Sequence, residues 1–421
     1  MQRASATLLV TALSVMCGPA PAQNVDKRKP HAATASPSSA APSRAVVRPA
    51  VKDGEAEARL IEIYKLAGQA RGREALVKAE RLVDDHPNFQ LAQLVYGDLL
   101  AARSRPLRAP GDMSEGAAKA GASTLAELRQ ESLMRLKALR ERPAPGTIPS
   151  QFLALSPRNK HAIAVDASRA RLYLFENTAT GLKLVSDYYI SVGKSGIEKS
   201  VEGDSRTPLG IYFVTSNLDP KSLKDFYGSG ALPINYPNAL DLKRGKTGSG
   251  IWLHGTPPAQ FSRAPQASDG CVVLANDDLD KLAPYLQVGV TPVIITNQLD
   301  WANEQDRAER NALLQEVEQW RKDWSSLDTN TYLKHYSRDF SSDNVDFAAW
   351  AKQKQLVNSA KSWIKVNISN VSVFTYPKQP NMAVVNFEQD YSSSNLSNRM
   401  KKRQYWIKHN NRWQIVYEGA A

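Results

Sequence analysis

Cysteine is scarce in this sequence: the 421 residues include only two, Cys17 and Cys271. With 42% hydrophobic and 23% charged residues, the chain has enough apolar material for two or three domains with real cores, which excludes a small scaffold that needs disulfides. No His, Cys and carboxylate residues share a metal-ligand spacing, and no Gly-rich loop is a convincing phosphate cradle. We therefore expect a multidomain protein that uses neither a metal nor a cofactor.

Long hydrophobic runs are also scarce. One apolar stretch runs from Ala6 to Cys17, preceded by Arg3 and followed by small residues that end at Ala22. This stretch is too short to cross the roughly 30 Å hydrocarbon core of a bilayer as a helix, and it is typical of a cleaved secretory signal. We predict a signal peptide over residues 1–22 and export to the periplasm as a soluble chain. Lipid attachment at Cys17 is a weaker alternative.

Cleavage would leave Cys271 as a lone thiol in an oxidising compartment, where cysteines normally occur in pairs. Taken alone, this residue fits a buried structural cysteine and a nucleophile equally well. Cleavage would also remove Arg3 and lower the formal net charge from +12 to +11. For an exported protein, this charge favours a carboxylate-rich envelope polymer such as peptidoglycan over nucleic acid as the partner, although a merely soluble basic surface explains it equally well.

After the predicted signal peptide, a stretch poor in large apolar residues is followed by one with regularly spaced apolar residues. Residues 23–54 are rich in Ala, Pro, Ser, Lys and Arg and have few large apolar side chains, which predicts a disordered linker. Residues 55–150 place apolar residues at helical spacing, with breaks at Gly68–Gly72 and His86–Asn88 and a further helix at Thr124–Glu141. We predict a helical module for packing or homodimerisation.

Strand patterns dominate residues 155–298. Runs of β-branched and aromatic residues alternate with Gly-, Pro- and Asn-rich loops, and the clearest helical segment is Asp277–Leu286. The predicted strands are Ala162–Val165, Arg171–Phe175, Leu184–Val192, Gly210–Thr215, Gly250–His254 and Pro292–Thr296. The pattern predicts a mainly-β domain.

Helices precede strands in the last segment, residues 305–421. Helical spacing at Leu313–Trp324 and Phe347–Ile364 is followed by four strands, and Asn410–Asn411 suits a hairpin turn because Asn tolerates positive φ. This order predicts an α+β cone. Its pattern and aromatic placement resemble the SnoaL-like domains related to the nuclear transport factor family, which implies a pocket that is catalytic, ligand-binding or a dimer surface. Because the sequence shows no catalytic acid–base pair here, we favour a binding role toward a glycan or a partner protein.

One histidine motif and one cysteine motif carry the chemistry. His254 ends a predicted strand and precedes Gly255 and Thr256, while Cys271 follows Gly270 ahead of a predicted helix. A nucleophilic cysteine requires a base within hydrogen-bond reach and backbone N–H groups that hold the oxyanion formed on acyl attack. A histidine at a strand end and a Gly-Cys pair near a helix start can supply all of these groups.

These elements resemble the YkuD-type L,D-transpeptidases of bacterial cell walls over roughly residues 160–297. The segment Gly203–Tyr212 is similar to the family's glycine-aspartate and threonine-proline-x-glycine signature, and the His-Gly-Thr and Ser-x-Gly-Cys elements follow in the family's order and spacing. The resemblance implies that Cys271 is the nucleophile and that His254 is its base.

The resemblance also implies supporting roles. The carbonyl of Gly255 would orient the imidazole, and the N–H groups of Gly270 and Cys271 would form the oxyanion hole. Family members attack the bond between a meso-diaminopimelyl residue and the terminal D-alanine of a tetrapeptide stem. An amine or water then resolves the acyl-enzyme.

Two positions depart from the family pattern, because Asp269 and Val273 stand where the family usually has His and Arg. An anionic Asp269 disfavours the thiolate unless a hydrogen bond or a helix end compensates for it, and loss of the Arg removes a two-pronged carboxylate clamp. Another cation must then recognise the stem peptide. The candidate substrate-binding residues are Ser268, Asp269, Thr256, Arg206, Lys246 and Arg263.

Three functions fit the sequence. We expect a peptidoglycan L,D-transpeptidase that acts through a cysteine acyl-enzyme on the diaminopimelyl–D-alanine bond. The order of the three domains resembles the cell-shape L,D-carboxypeptidases, which trim tetrapeptides to tripeptides, so hydrolysis is the main alternative. The replacements at Asp269 and Val273 leave a third function, a catalytically silent scaffold that binds the wall.

Overall fold

The computed structural model describes residues 54–112, 121–302, 307–342 and 345–421. The predicted signal peptide and the predicted linker, except for Gly54, lie outside these ranges. None of the helices within the described ranges combines the length and the apolar composition that a bilayer span requires.

The N-terminal module, as far as it is described, consists of four helices. They are α1 (Glu55–Gly68), α2 (Gly72–Asp85), α3 (Gln90–Ala101) and α4 (Ala122–Arg140). Their apolar faces bury a cluster that includes Leu60, Leu82 and Phe89, and Phe261 and Ala275 of the central domain join it. The module therefore packs against the central domain of its own chain.

The central domain is rich in short strands. In chain order its elements are β1 (Ile148–Pro149), β2 (Phe152–Ala154), β3 (His161–Asp166), β4 (Arg171–Thr178), β5 (Gly181–Tyr189), β6 (Val192–Gly193), β7 (Gly210–Phe213), β8 (Ala231–Pro233), α5 (Ala239–Lys243), β9 (Trp252–His254), β10 (Gln266–Ser268), β11 (Val272–Val273), α6 (Asn276–Leu282), β12 (Pro292–Thr296) and β13 (Trp301–Ala302). The main sheet has the order β5-β4-β3-β12-β7. Both faces of its central strands are buried: Ile163 and Ile295 join one apolar cluster, and Ala164 and Ile294 join another.

A smaller sheet, β11-β9-β8, positions the two motifs that carry the chemistry. β11 runs parallel to β9, so that Val272 pairs with Leu253 and Val273 pairs with His254. Cys271 directly precedes β11 and His254 ends the adjacent strand β9, so the two residues lie at the same small sheet.

The C-terminal domain packs helices against a long curved sheet. Its elements are α7 (Arg307–Ser325), α8 (Thr329–Leu333), β14 (Tyr336–Ser342), β15 (Val345–Asp346), α9 (Phe347–Ser359), β16 (Ile364–Tyr376), β17 (Gln379–Ser393), β18 (Ser397–His409) and β19 (Arg412–Ala420). The sheet order is β15-β14-β19-β18-β17-β16-β2. β2, the second strand of the central domain, forms one edge of this sheet beside β16 and so ties the two domains together.

The predicted fold class is confirmed, since helices, a mainly-β domain and an α+β domain follow one another along the chain. The φ angles of Asn410 and Asn411 are 48° and 62°, as the predicted hairpin turn requires. The predicted helix at Asp277–Leu286 is shorter than expected. α6 ends at Leu282 and a 3-10 turn over Ala283–Tyr285 replaces its last part, because the proline at position 284 lacks the N–H that an α-helix needs.

A buried ion network joins the helical module to the central domain. Glu57 of α1 accepts two hydrogen bonds of 2.5 Å from the guanidinium of Arg171 on β4, and Arg135 on α4 lies 3.1 Å from the same carboxylate. All three side chains are buried. Burial acts to raise the pKa of Glu57, but the two guanidinium groups hold it at about 2. The pairing keeps a buried carboxylate charged.

Replacing Arg171 with methionine should destabilise the fold, because Glu57 would keep only one of its two buried partners. Removing one partner of a buried pair costs about 3–5 kcal/mol of unfolding free energy. Urea denaturation followed by circular dichroism measures this loss. The matched control is Arg71→Met, which breaks an exposed pair with Glu74 and should leave the midpoint almost unchanged. Equal shifts of the urea midpoint for the two variants would contradict a stabilising role of the buried ion network.

Candidate active site

His254 is buried with its ring held in one orientation. Its Nδ1 lies 2.7 Å from the carbonyl oxygen of Gly255. Since a carbonyl oxygen can only accept, Nδ1 carries the proton and Nε2 keeps its lone pair. The rings of Tyr227 and Phe226 flank the imidazole at centroid distances of 5.1 and 5.9 Å. This arrangement leaves Nε2 as the proton acceptor.

The charge state of His254 follows from its surroundings. Burial lowers the pKa of the imidazole to about 4; the hydrogen bond to Gly255 acts in the opposite direction, and the nearby charge of Arg263 lowers the pKa further. The ring is therefore neutral at pH 7 and able to take a proton from a nucleophile.

Asn276, at the start of α6, holds the loop that follows His254. Its Oδ1 accepts from the N–H groups of Ser229 and Thr256 at 2.9 and 3.1 Å, and its Nδ2 donates to the Thr256 carbonyl at 2.9 Å. A Cβ at Gly255 would lie 2.1 Å from this Oδ1. Glycine is therefore required at position 255. Sequence analysis missed Asn276, because an asparagine at a helix start usually indicates only a cap.

Cys271 presents a half-buried thiol whose Sγ donates to the Gly250 carbonyl at 3.5 Å. Burial raises the pKa of this thiol above its usual value. The Trp252 N–H and the charge of Arg263 lower the pKa, while Asp269 raises it. The protonated thiol is thus favoured at neutral pH, so Cys271 and His254 are both neutral rather than a thiolate and an imidazolium.

Thr207 sets the direction of the peptide between Gly270 and Cys271. Its buried hydroxyl donates to the Gly270 carbonyl at 2.8 Å and accepts from the Gly193 N–H at 2.9 Å. The C=O and N–H of a trans peptide point in opposite directions. The N–H of Cys271 therefore points away from the buried Thr207.

The predicted use of the Gly270 N–H in an oxyanion hole needs correction. This N–H donates to Ser268 Oγ at 3.1 Å, and the same hydroxyl donates to the Cys271 carbonyl at 2.6 Å. The loop makes a tight turn in which Gly270 has a φ of 130°, and the Ser268 side chain closes it. Of the predicted oxyanion pair, the Cys271 N–H remains the candidate donor. Ser268 was predicted to bind substrate, but its hydroxyl makes hydrogen bonds within the turn.

Of the three cations predicted to bind substrate, Arg263 is the one whose charge acts on the Cys271 thiol. Its guanidinium lies 4.7 Å from the centre of the Phe226 ring, and its charge lowers the pKa of both Cys271 and His254. Arg263 lies in the loop between β9 and β10, ten residues before Val273, the position at which the family usually has an arginine. A cation is thus present near the thiol despite the change at Val273.

The other predicted substrate-binding residues are engaged elsewhere. Arg206 donates to a backbone carbonyl at 3.0 Å, Lys246 pairs with a buried carboxylate at 2.9 Å, and the buried Thr256 hydroxyl donates to a backbone carbonyl at 3.3 Å. Asp269 is exposed and lies 2.7 Å from the ammonium of Lys194. Lys194 supplies a counter-charge for the anion that sequence analysis identified as unfavourable to a thiolate.

The pH dependence of thiol alkylation should reveal the neutral pair. Because the pKa of Cys271 is raised, its thiolate fraction should grow about tenfold per pH unit from pH 6 to pH 8. We expect the rate of alkylation by iodoacetamide to rise throughout this range, with a free cysteine derivative as the reference. A rate that is already constant below pH 7 would indicate an imidazolium–thiolate pair and contradict the assignment.

Two family models match the chain. The model of the L,D-transpeptidase catalytic domain, YkuD, matches residues 160–295, and the model of the Cds6 C-terminal NTF2-like domain matches residues 312–419. A search of curated protein sequences finds no significant match.

Solved structures resemble the chain over several domains. Bd1075 of Bdellovibrio bacteriovorus is 30% identical, with a TM-score of 0.57 over 65% of this chain and 98% of that chain. The helical cell shape determining protein Pgp2 of Campylobacter jejuni is 25% identical, with a TM-score of 0.56 over 70% of this chain and 100% of that chain. The chain therefore belongs to the YkuD L,D-transpeptidase family and carries a C-terminal NTF2-like domain.

Proposed function

We propose that the protein is a peptidoglycan L,D-transpeptidase that forms a thioester between Cys271 and a tetrapeptide stem. One observation carries this function. On the strand next to the thiol, the neutral His254 holds its proton at Nδ1 against Gly255 and leaves Nε2 free to act as a base.

The first half-reaction forms the acyl-enzyme. The Cys271 Sγ attacks the carbonyl carbon between the diaminopimelyl residue and D-alanine, while His254 Nε2 takes the thiol proton. The negative charge that develops on the carbonyl oxygen is stabilised by the Cys271 N–H. His254 then gives the proton to the leaving nitrogen, the C–N bond breaks, and D-alanine departs.

The second half-reaction decides the product. Attack on the thioester by the amine of a neighbouring stem gives a cross-link, whereas attack by water leaves a tripeptide. In both routes the attacking amine or water loses a proton to His254 Nε2, which passes it to the departing Cys271 sulfur and restores the thiol. Hydrolysis is the second candidate function, favoured by the similarity to Pgp2, a helical cell shape determining protein that this chain covers over its full length.

The C-terminal domain is proposed to hold the enzyme on a glycan or a partner protein in the periplasm. A buried polar cluster supports a ligand-binding role. Glu418 accepts from Tyr336 Oη at 3.0 Å and from Gln404 Nε2 at 2.7 Å, and it also pairs with Lys402. The Lys402 ammonium lies 5.3 Å from the ring centre of Trp324. Charged groups beside aromatic rings can bind a polar ligand that has an apolar face.

Incubation with tetrapeptide muropeptides tests the proposed reaction. We expect the protein to give cross-linked dimers in mass spectrometry and the Cys271→Ala variant to give none. Tripeptide without dimers would assign the carboxypeptidase reaction. The absence of any cysteine-dependent product would contradict both and favour the silent scaffold.

Thr207 offers a second test, because its hydroxyl orients the proposed oxyanion donor. Thr207→Val should lower kcat about tenfold or more with little change in KM, since the oxyanion exists only in the transition state. Thr207→Ser keeps the hydroxyl and should retain most of the activity. A rise in KM without a fall in kcat would mean that Thr207 affects ground-state binding instead.

A further inference from the structure

A cleft lies between the helical module and the central domain, beside the candidate active site. Its volume is about 500 Å³, and α4 forms part of one wall while the loop after β9 forms part of the other. The lining residues that matter here are Thr124, Glu127, Glu131, Phe226, Arg263 and Ala267. Because α4 lies outside the segments that the two family models match, this cleft is not a property of the YkuD domain alone.

Contacts place the cleft next to the proposed nucleophile and base. The Phe226 ring is 5.9 Å from the His254 imidazole and 4.7 Å from the Arg263 guanidinium. The charge of Arg263 lowers the pKa of the Cys271 thiol. Ala267 directly precedes the serine whose hydroxyl bonds to the Cys271 carbonyl. A peptide attached to the thiol thus has this cleft as neighbouring space.

The helical module holds the loop that carries Arg263. Ser262 Oγ donates to Glu131 Oε1 of α4 at 2.7 Å, and the Phe261 ring stacks on Phe89 at 4.2 Å. Both Glu131 and Phe89 are buried. The two walls of the cleft are therefore tied together, and the position of the guanidinium relative to α4 is defined.

The cleft combines two opposite charges. Glu127 lies four residues before Glu131 on the same helix face, a distance of about one 5.4 Å turn. Glu131 is already engaged with Ser262 and Arg135, whereas the side chain of Glu127 is exposed. With Arg263 on the opposite wall, the cleft presents a carboxylate and a guanidinium. A ligand that fits it carries both an ammonium and a carboxylate group.

On the basis of the function proposed above, we propose that the cleft binds the zwitterionic end of a diaminopimelyl side chain. Its carboxylate would pair with Arg263 and its ammonium with Glu127. The diaminopimelyl residue carries both groups at the far end of its side chain, so this end can enter the cleft when the other end is bound at Cys271. Lysine at the same position of a stem lacks the carboxylate. The helical module then helps to select stems that contain diaminopimelate.

Calorimetry on the full chain with Cys271→Ala tests this subsite without turnover. The probes are two purified tetrapeptides, one with diaminopimelate and one with lysine. We expect tighter binding of the diaminopimelate stem. Glu127→Gln should weaken its binding about tenfold, which is typical for loss of a hydrogen bond between charged groups. Arg263→Gln should remove the preference between the two stems. Asp84→Asn, which neutralises an exposed carboxylate of the same module outside the cleft, is the matched control and should change neither affinity.

Three results would overturn the subsite: equal affinity for the two stems, an unchanged affinity after Glu127→Gln, or no measurable binding of either stem. Failure of the proposed function gives a different pattern. In that case the diaminopimelate stem would bind with the expected dependence on Glu127, but the protein with its cysteine intact would form no product from it.

Discussion

The hydrogen bond from His254 Nδ1 to the Gly255 carbonyl determines the chemistry that the candidate site can perform. Because the acceptor is a carbonyl, the ring nitrogen that remains basic is Nε2, and burial keeps the ring neutral. Asn276 holds the backbone that follows β9 through the N–H and the carbonyl of Thr256. Backbone geometry thus orients the base, a task that an aspartate performs in a Ser-His-Asp triad.

The position of the cation near the thiol depends on contacts made by other parts of the chain. The arginine that usually follows the cysteine in this family is Val273 here, and Arg263 supplies the charge from a separate loop. That loop is anchored to the helical module through Ser262, and the module is anchored to the central sheet through Glu57 and its buried arginines. The helical module is therefore part of the structure that positions the site, although neither family model includes it.

Local patterns predicted much of the fold. The helix break at Gly68–Gly72 and the strand at Pro292–Thr296 were predicted because each depends on neighbouring residues, and the three-domain order followed from the change of period along the chain. β2 (Phe152–Ala154) was missed, since a three-residue strand shows no period and its partner β16 lies in another domain. Motif order predicted that His254 ends a strand and that Cys271 precedes a helix, but the two-residue strand β11, which pairs with β9 beside the thiol, was missed.

Site details that depend on tertiary contacts could not be predicted. The direction of the Gly270 N–H depends on the Ser268 hydroxyl, which the motif alone does not specify. The position of Arg263 near the thiol depends on how its loop packs against α4 and Phe226, which the sequence pattern does not specify. Glu127 lines the cleft because α4 packs beside the central domain, a tertiary contact that helical spacing does not predict.

The most direct test of the central claim is to trap the covalent intermediate. The protein is mixed with a tetrapeptide stem, quenched in acid within milliseconds to seconds, and examined by intact-mass and peptide-mapping mass spectrometry. The expected result is an adduct with the mass of the stem minus D-alanine, attached to the peptide that contains Cys271. Release of D-alanine without an adduct at any quench time, or an adduct on another residue, would contradict the assignment of Cys271 as the nucleophile.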